Sequence, residues 1–163
     1  MQYEIGSKVV YPMHGAGVIE SIEEHEIMGV RQPYYIMRIP IGDMKVMVPV
    51  ETAAAIGLRD VIDGAEADKV LAEFKNCATD MDTNWNKRQR ENLSRIKSGN
   101  IYDVVYVVKN LMYRDKIRGL STSERKMLSN AKQIIVSELV IAKNSSQKDI
   151  EAMMEAMVVE EIG

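Results

Sequence analysis

Tyr34-Tyr35-Ile36-Met37-Arg38-Ile39-Pro40-Ile41-Gly42-Asp43-Met44-Lys45-Val46-Met47-Val48-Pro49 is two apolar-rich runs divided by a Pro-Ile-Gly-Asp turn and closed by a second proline. Aromatic and β-branched residues dominate the first run and Val and Met the second, and neither carries the three-to-four spacing of a helix, so each reads as a strand. Upstream, Lys8-Val9-Val10-Tyr11 precedes Pro12 and the turn His14-Gly15-Ala16-Gly17. Val18 to Glu23 alternates loosely towards Ile27 and meets a tight turn at Met28-Gly29. Four or five short strands packed into about 50 residues predict a small antiparallel barrel of SH3 or Tudor type. Such barrels are mostly binding modules whose edge strands can pair with a partner's strand.

Beyond Gly57 the apolar spacing becomes helical, and the helix boundaries can be read from capping residues. A short helix is expected around residues 65–76. Thr83 or Asp82 can cap a helix that stops at Ser98-Gly99. Asn100 and Asp103 resemble a capping pair ahead of apolar positions 101, 104, 105, 108, 111 and 112, and Gly119 ends that helix. Ser121 and Glu124 form a capping-box pattern, with Ser146 and Asp149 as a weaker copy. The expected fold is therefore α+β: a Tudor/SH3-like barrel over 1–57, then a bundle of about five helices over 58–163. The junction at 57–64 is short enough to hold the two parts in one relative orientation.

Charge is segregated along this arrangement. The net charge is −3, yet residues 83–148 hold 14 Lys and Arg against 5 Asp and Glu, while residues 149–163 hold 5 acids and no base. One segment thus carries a positive field, which points to a polyanionic partner for that part only. A single cysteine, Cys77, precludes an internal disulfide and fits a reducing compartment. The first residues, Met1-Gln2-Tyr3-Glu4, lack a signal-peptide pattern, and no apolar run approaches membrane-spanning length. A cytoplasmic location is expected.

Catalytic chemistry finds little purchase. His14 and His25 both fall in the barrel, away in sequence from Cys77. The turn His14-Gly15-Ala16-Gly17 lacks the following helix and Lys-Ser/Thr of a phosphate loop, and no paired-cysteine or HExxH spacing occurs. No enzyme activity, metal or cofactor is expected. Met153, Met154 and Met157 share a helical stripe whose default role is core packing.

The only tryptophan, Trp85, begins the most basic stretch, Trp85-Asn86-Lys87-Arg88-Gln89-Arg90. Two placements fit. On a helical wheel the indole lies near Leu93 and Ile96 and can pack into the bundle; alternatively it stands exposed at the helix start among cations. The wheel turns Lys87, Arg88, Arg90, Arg95 and Lys97 away from Leu93 and Ile96, as either a solvated face or a phosphate-binding one. Arg125 and Lys126, near another helix start, can join that surface.

The whole chain resembles the CarD/CdnL family of bacterial transcription regulators. The residues that carry this are Gly6, Val9-Val10-Tyr11-Pro12, His14-Gly15, Gly42-Asp43 and Val48-Pro49 in the first half. In the second half they are Asn84-Trp85, Arg88, Asn92-Leu93, Ser98-Gly99, Arg118-Gly119-Leu120-Ser121, Glu124 and Met127-Leu128. The resemblance implies a barrel that binds the RNA polymerase β subunit through an edge strand, a surface that takes in His25, Ile27, Val46 and Met47. Where well-known members carry two arginines for the polymerase, this chain has His25 and Met47. It further implies promoter DNA as second partner, with Trp85 wedged into the minor groove at the upstream edge of the bubble. Lys87, Arg88 and Arg90 fall where the family has phosphate contacts. A monomer that stabilises the open complex without reading sequence is expected; the alternative is a protein–protein adaptor that never touches DNA.

Overall fold

The computed structural model describes residues 2–163. Its N-terminal part is one antiparallel sheet of β1 (Lys8–Tyr11), β2 (Gly15–Ile27), β3 (Val30–Ile39), β4 (Met44–Pro49) and β5 (Arg59–Asp60), in the order β4-β3-β2-β1-β5. A one-turn helix, α1 (Ala53–Ile56), links β4 to β5. Then follow α2 (Gly64–Asn76), α3 (Trp85–Lys97), α4 (Ile101–Ile117), α5 (Thr122–Lys143) and α6 (Gln147–Ile162). The α+β class and the five longer helices match the sequence reading.

The strands are held in register by their turns. Met28 and Gly29 both take positive φ, 52° and 80°, between paired Ile27 and Val30. That primed turn matches the right-handed twist of the flanking strands. Gly17 is required by close approach: a Cβ there would lie 2.0 Å from the Arg38 carbonyl oxygen of the neighbouring strand. Tyr3, Val9, Ile19, Tyr35, Met37, Ile39 and Val48 fill the first core. The sheet extends past residue 57, because Val9 pairs with Asp60 and Val10 with Arg59. A two-residue strand shows no period and could not be anticipated.

The helical part has its own core, built from Val70, Phe74, Val105, Val108, Leu111, Ile135, Leu139, Ile150 and Met154 among others. Each helix start is capped by a short polar side chain. Asp63 accepts from the Glu66 amide, Asn84 from Lys87, Asn100 from Tyr102 and Ser146 from Asp149. Two expectations are corrected here. Asn84, not Thr83 or Asp82, caps α3; Asp82 instead accepts the Asn84 amide at 2.8 Å. Asp103 completes no capping box, since its carboxylate is taken by Ser98 and Arg95. The methionine stripe also divides: Met154 is buried, Met157 half-buried, and Met153 faces outward.

Lys109 is a buried cation in the middle of the α4 apolar stripe. Its ammonium donates to the carbonyls of Phe74 and Lys75 at 2.8 and 2.9 Å and meets the Glu161 carboxylate at 2.7 Å. It thereby closes the C-terminal end of α2 and ties that end to α6.

The two parts are joined by more than the chain. Glu138 on α5, almost wholly buried, accepts both ends of the Arg59 guanidinium at 2.7 and 2.8 Å and the Ile62 amide at 3.0 Å. Next to it, Ser137 Oγ accepts the Ala16 amide at 2.8 Å. Gly15 permits this contact, because a Cβ would sit 2.7 Å from the same oxygen. The sheet is therefore fastened to α5 by paired and satisfied polar groups, as buried ions and hydroxyls require.

Candidate nucleic-acid interface

The starts of α3 and α5 lie side by side, and Trp85 stands where they meet. Trp85 is 42% exposed, and its indole Nε1–H donates to Ser121 Oγ at 3.3 Å. Of the two placements left open by the sequence, the indole takes the exposed one. α3 turns Arg88, Asn92 and Ile96 inward; Trp85 shares their side of the wheel, but as the first residue of the helix it projects past the buried stripe and meets the start of α5.

Arg88 departs from its expected place. It lies on the buried face of α3, only 2% exposed, rather than among the outward cations. Its Nε donates to Glu124 Oε2 at 2.8 Å, and Nη1 donates to the carbonyls of Asp82 and Thr83 at 3.1 and 3.2 Å. Burial pushes the Glu124 carboxyl up, but the Arg88 hydrogen bond and charge, helped by Ser121, outweigh it and leave that group below the ordinary glutamate range. Leu93 is displaced the other way. It is 40% exposed and lines an open depression with Arg90, Ser94 and Lys97.

The remaining cations differ in how far they are engaged. Lys87 is 3.3 Å from Asp82, whose carboxyl is lowered first by the Asn84 amide and then by Lys87. Arg125, on α5, is 3.9 Å from Asp115 and donates to the Leu120 carbonyl. Arg90 and Lys126 are exposed, and neither has an acidic partner among the described residues. Exposed cations without partners can neutralise phosphates at little desolvation cost. Arg95, by contrast, stacks on Tyr106 at 3.9 Å and pairs with Asp103.

The four barrel residues are divided between two parts of the sheet. Val46 and Met47 lie on β4, the outer strand of the sheet, where Met47 is 41% exposed. His25 and Ile27 lie on the β2–β3 ribbon beyond the end of β4, opposite Gln32 and Val30. His25 there bonds Glu23 at 3.0 Å.

The groups weighed for catalysis stand apart. His14 packs edge-on against Tyr11 at 4.6 Å between ring centres. Burial pushes the Cys77 thiol up, against what a nucleophile needs. No helix among the described residues is long and apolar enough to cross a membrane.

Sequence reasoning missed Ser121 and Glu124 as partners of Trp85 and Arg88. Their capping box was legible, but the pairing spans 36 residues and belongs to the tertiary fold.

Comparison with known proteins agrees with the two-part fold. Residues 3–62 match the CarD-like/TRCF RID domain, a Tudor-like fold, and residues 69–155 match the CarD C-terminal domain. A Bacillus subtilis (strain 168) protein named "Putative transcription factor YdeB" is 37% identical over 150 residues, covering 92% of this chain and 98% of that protein. With both halves matched in order, the chain belongs to the CarD family, whose members are transcription regulators rather than enzymes.

Proposed function

We propose that this protein docks on RNA polymerase through its sheet and stabilises the open promoter complex by inserting Trp85 into the minor groove at the upstream bubble edge. The observation that carries this reading is a half-exposed indole at the junction of two helix starts that also bear Lys87, Arg90, Arg125 and Lys126. The RID match over residues 3–62 supports a polymerase partner. The unpaired edge of β4 supports docking on the β subunit by strand addition, in which backbone hydrogen bonds carry the affinity. Met47 in place of arginine then costs little, because its side chain is peripheral to such pairing.

The energetics fit a tethered wedge. Unstacking a base step costs a few kcal/mol and is cheapest where the duplex already frays. A wedge at that place favours the melted state selectively. Three or four phosphate contacts alone bind weakly at physiological salt, so docking on polymerase supplies the effective concentration. Nothing in this scheme reads a base sequence, since phosphates and an apolar wedge carry none.

Trp85→Ala is expected to leave polymerase binding unchanged and stability within about 1 kcal/mol, as befits a half-exposed side chain. It should shorten the open-complex lifetime about tenfold, equivalent to ~1.4 kcal/mol. An unchanged lifetime would remove the wedge. The phosphate contacts are tested separately: Arg90→Glu with Lys126→Glu should weaken duplex binding and reduce its log–log salt slope by about 2. If generic duplex DNA binds the double variant with the original slope, those cations do not touch phosphate and the adaptor reading gains.

A further inference from the structure

The Trp85 indole is held by a closed circuit of polar groups that the DNA reading leaves unused. Ser121 Oγ accepts from the Glu124 amide at 3.2 Å and from the indole Nε1–H at 3.3 Å, and its hydroxyl donates to Glu124 Oε1 at 3.2 Å. A serine hydroxyl has one hydrogen and two lone pairs, so all three valences are engaged. Glu124 in turn holds Arg88 through its other oxygen, and Arg88 grips the Asp82 and Thr83 carbonyls just ahead of α3. The circuit runs from the indole through Ser121, Glu124 and Arg88 back to the segment that launches Trp85.

We propose that Ser121, anchored by the Arg88–Glu124 pair, is a positioning residue that holds the Trp85 ring in the orientation from which it enters DNA. This rests on the wedge reading and adds its aiming device. The bond suits that task because it is directional yet readily released. It is long, and Ser121 itself is exposed, so water replaces the indole when the ring leaves. The buried part, Arg88 with Glu124, stays in place and returns the ring to the same setting. A freely turning indole would have to be ordered on each encounter, and preorganisation removes that cost.

Trp85 is the only tryptophan, so its fluorescence, excited at the red edge where tyrosine does not absorb, reports on this ring alone. In the free full-length protein, Ser121→Ala should lower the emission anisotropy and raise acrylamide quenching. On a promoter it should shorten the open-complex lifetime about fivefold, the effect of one neutral hydrogen bond. Ser121→Thr keeps the hydroxyl and the cap and should restore all three. Ser146→Ala removes an equivalent cap from α6, away from the indole, and should change none of them. Unaltered anisotropy and quenching in Ser121→Ala overturn the proposal. So does a mobile ring with an unaltered lifetime, provided Trp85→Ala does shorten it. If Trp85→Ala has no effect on lifetime, the wedge reading fails and the aiming role falls with it, while the anisotropy still decides whether Ser121 holds the ring.

Discussion

Arg88→Ala is expected to lower the unfolding free energy by about 3–5 kcal/mol, the usual result of removing one partner from a buried ion pair. Arg88 and Glu124 are each 2% exposed, so the abandoned carboxylate would find no water in the folded protein. The Asp82 and Thr83 carbonyls would lose their donor in the same step. Arg90→Ala, two residues on and exposed, should stay within about 0.5 kcal/mol of the unsubstituted protein. Urea unfolding of both variants at neutral pH checks the contrast, and a loss below about 1 kcal/mol for Arg88→Ala would refute it. The difference should also depend on pH with a defined sign. The folded-state carboxyl of Glu124 lies below its ordinary range, so the pair's contribution is complete above that range. It disappears as pH falls through the depressed value, and the two curves should converge in acid.

Lys109→Met should cost about 2–4 kcal/mol. The thioether keeps most of the apolar stem in place, so the loss isolates the ammonium. The Phe74 and Lys75 carbonyls at the end of α2 would then be left without a donor, at about 1–3 kcal/mol for each that stays dry. Glu161, the third partner, is one-third exposed and can turn to solvent. Glu161→Gln should therefore cost less than about 1 kcal/mol. If the two substitutions prove equally costly in thermal unfolding, the ion pair rather than the helix closure is what Lys109 supplies.

What could be read from the sequence follows the range of the interactions. Strand alternation, turn glycines and capping side chains act within a few residues, so the order of elements and the stops at Gly99 and Gly119 were legible. Side-chain type alone could not sort Arg88 from Lys87 and Arg90. The signal that does so is positional: residues 88, 92 and 96 recur every fourth position and form the inward stripe of α3. Lys109 sits among Val104, Val105, Val108, Leu111 and Met112 in the same manner, a cation inside an apolar run. Such a residue must find fixed acceptors, but which ones depends on α2 and α6 packing nearby. Trp85 was undecidable because it shares the inward side of the α3 wheel yet heads the helix, where a side chain can project past the core instead of entering it. Its setting comes from Ser121 across the fold.

α5 touches both the indole, beside Ser121, and the sheet, bolted at Ser137 and Glu138. At 1.5 Å of rise per residue these points stand about 24 Å apart along one unbroken rod. In the proposed docking, the reach from polymerase to bubble would thus be gauged by the number of residues in a single helix, independently of the slack in the connecting segment. Lengthening that rod by two turns would keep the same faces inward yet carry Ser121, and the indole bonded to it, about 10 Å farther from the sheet.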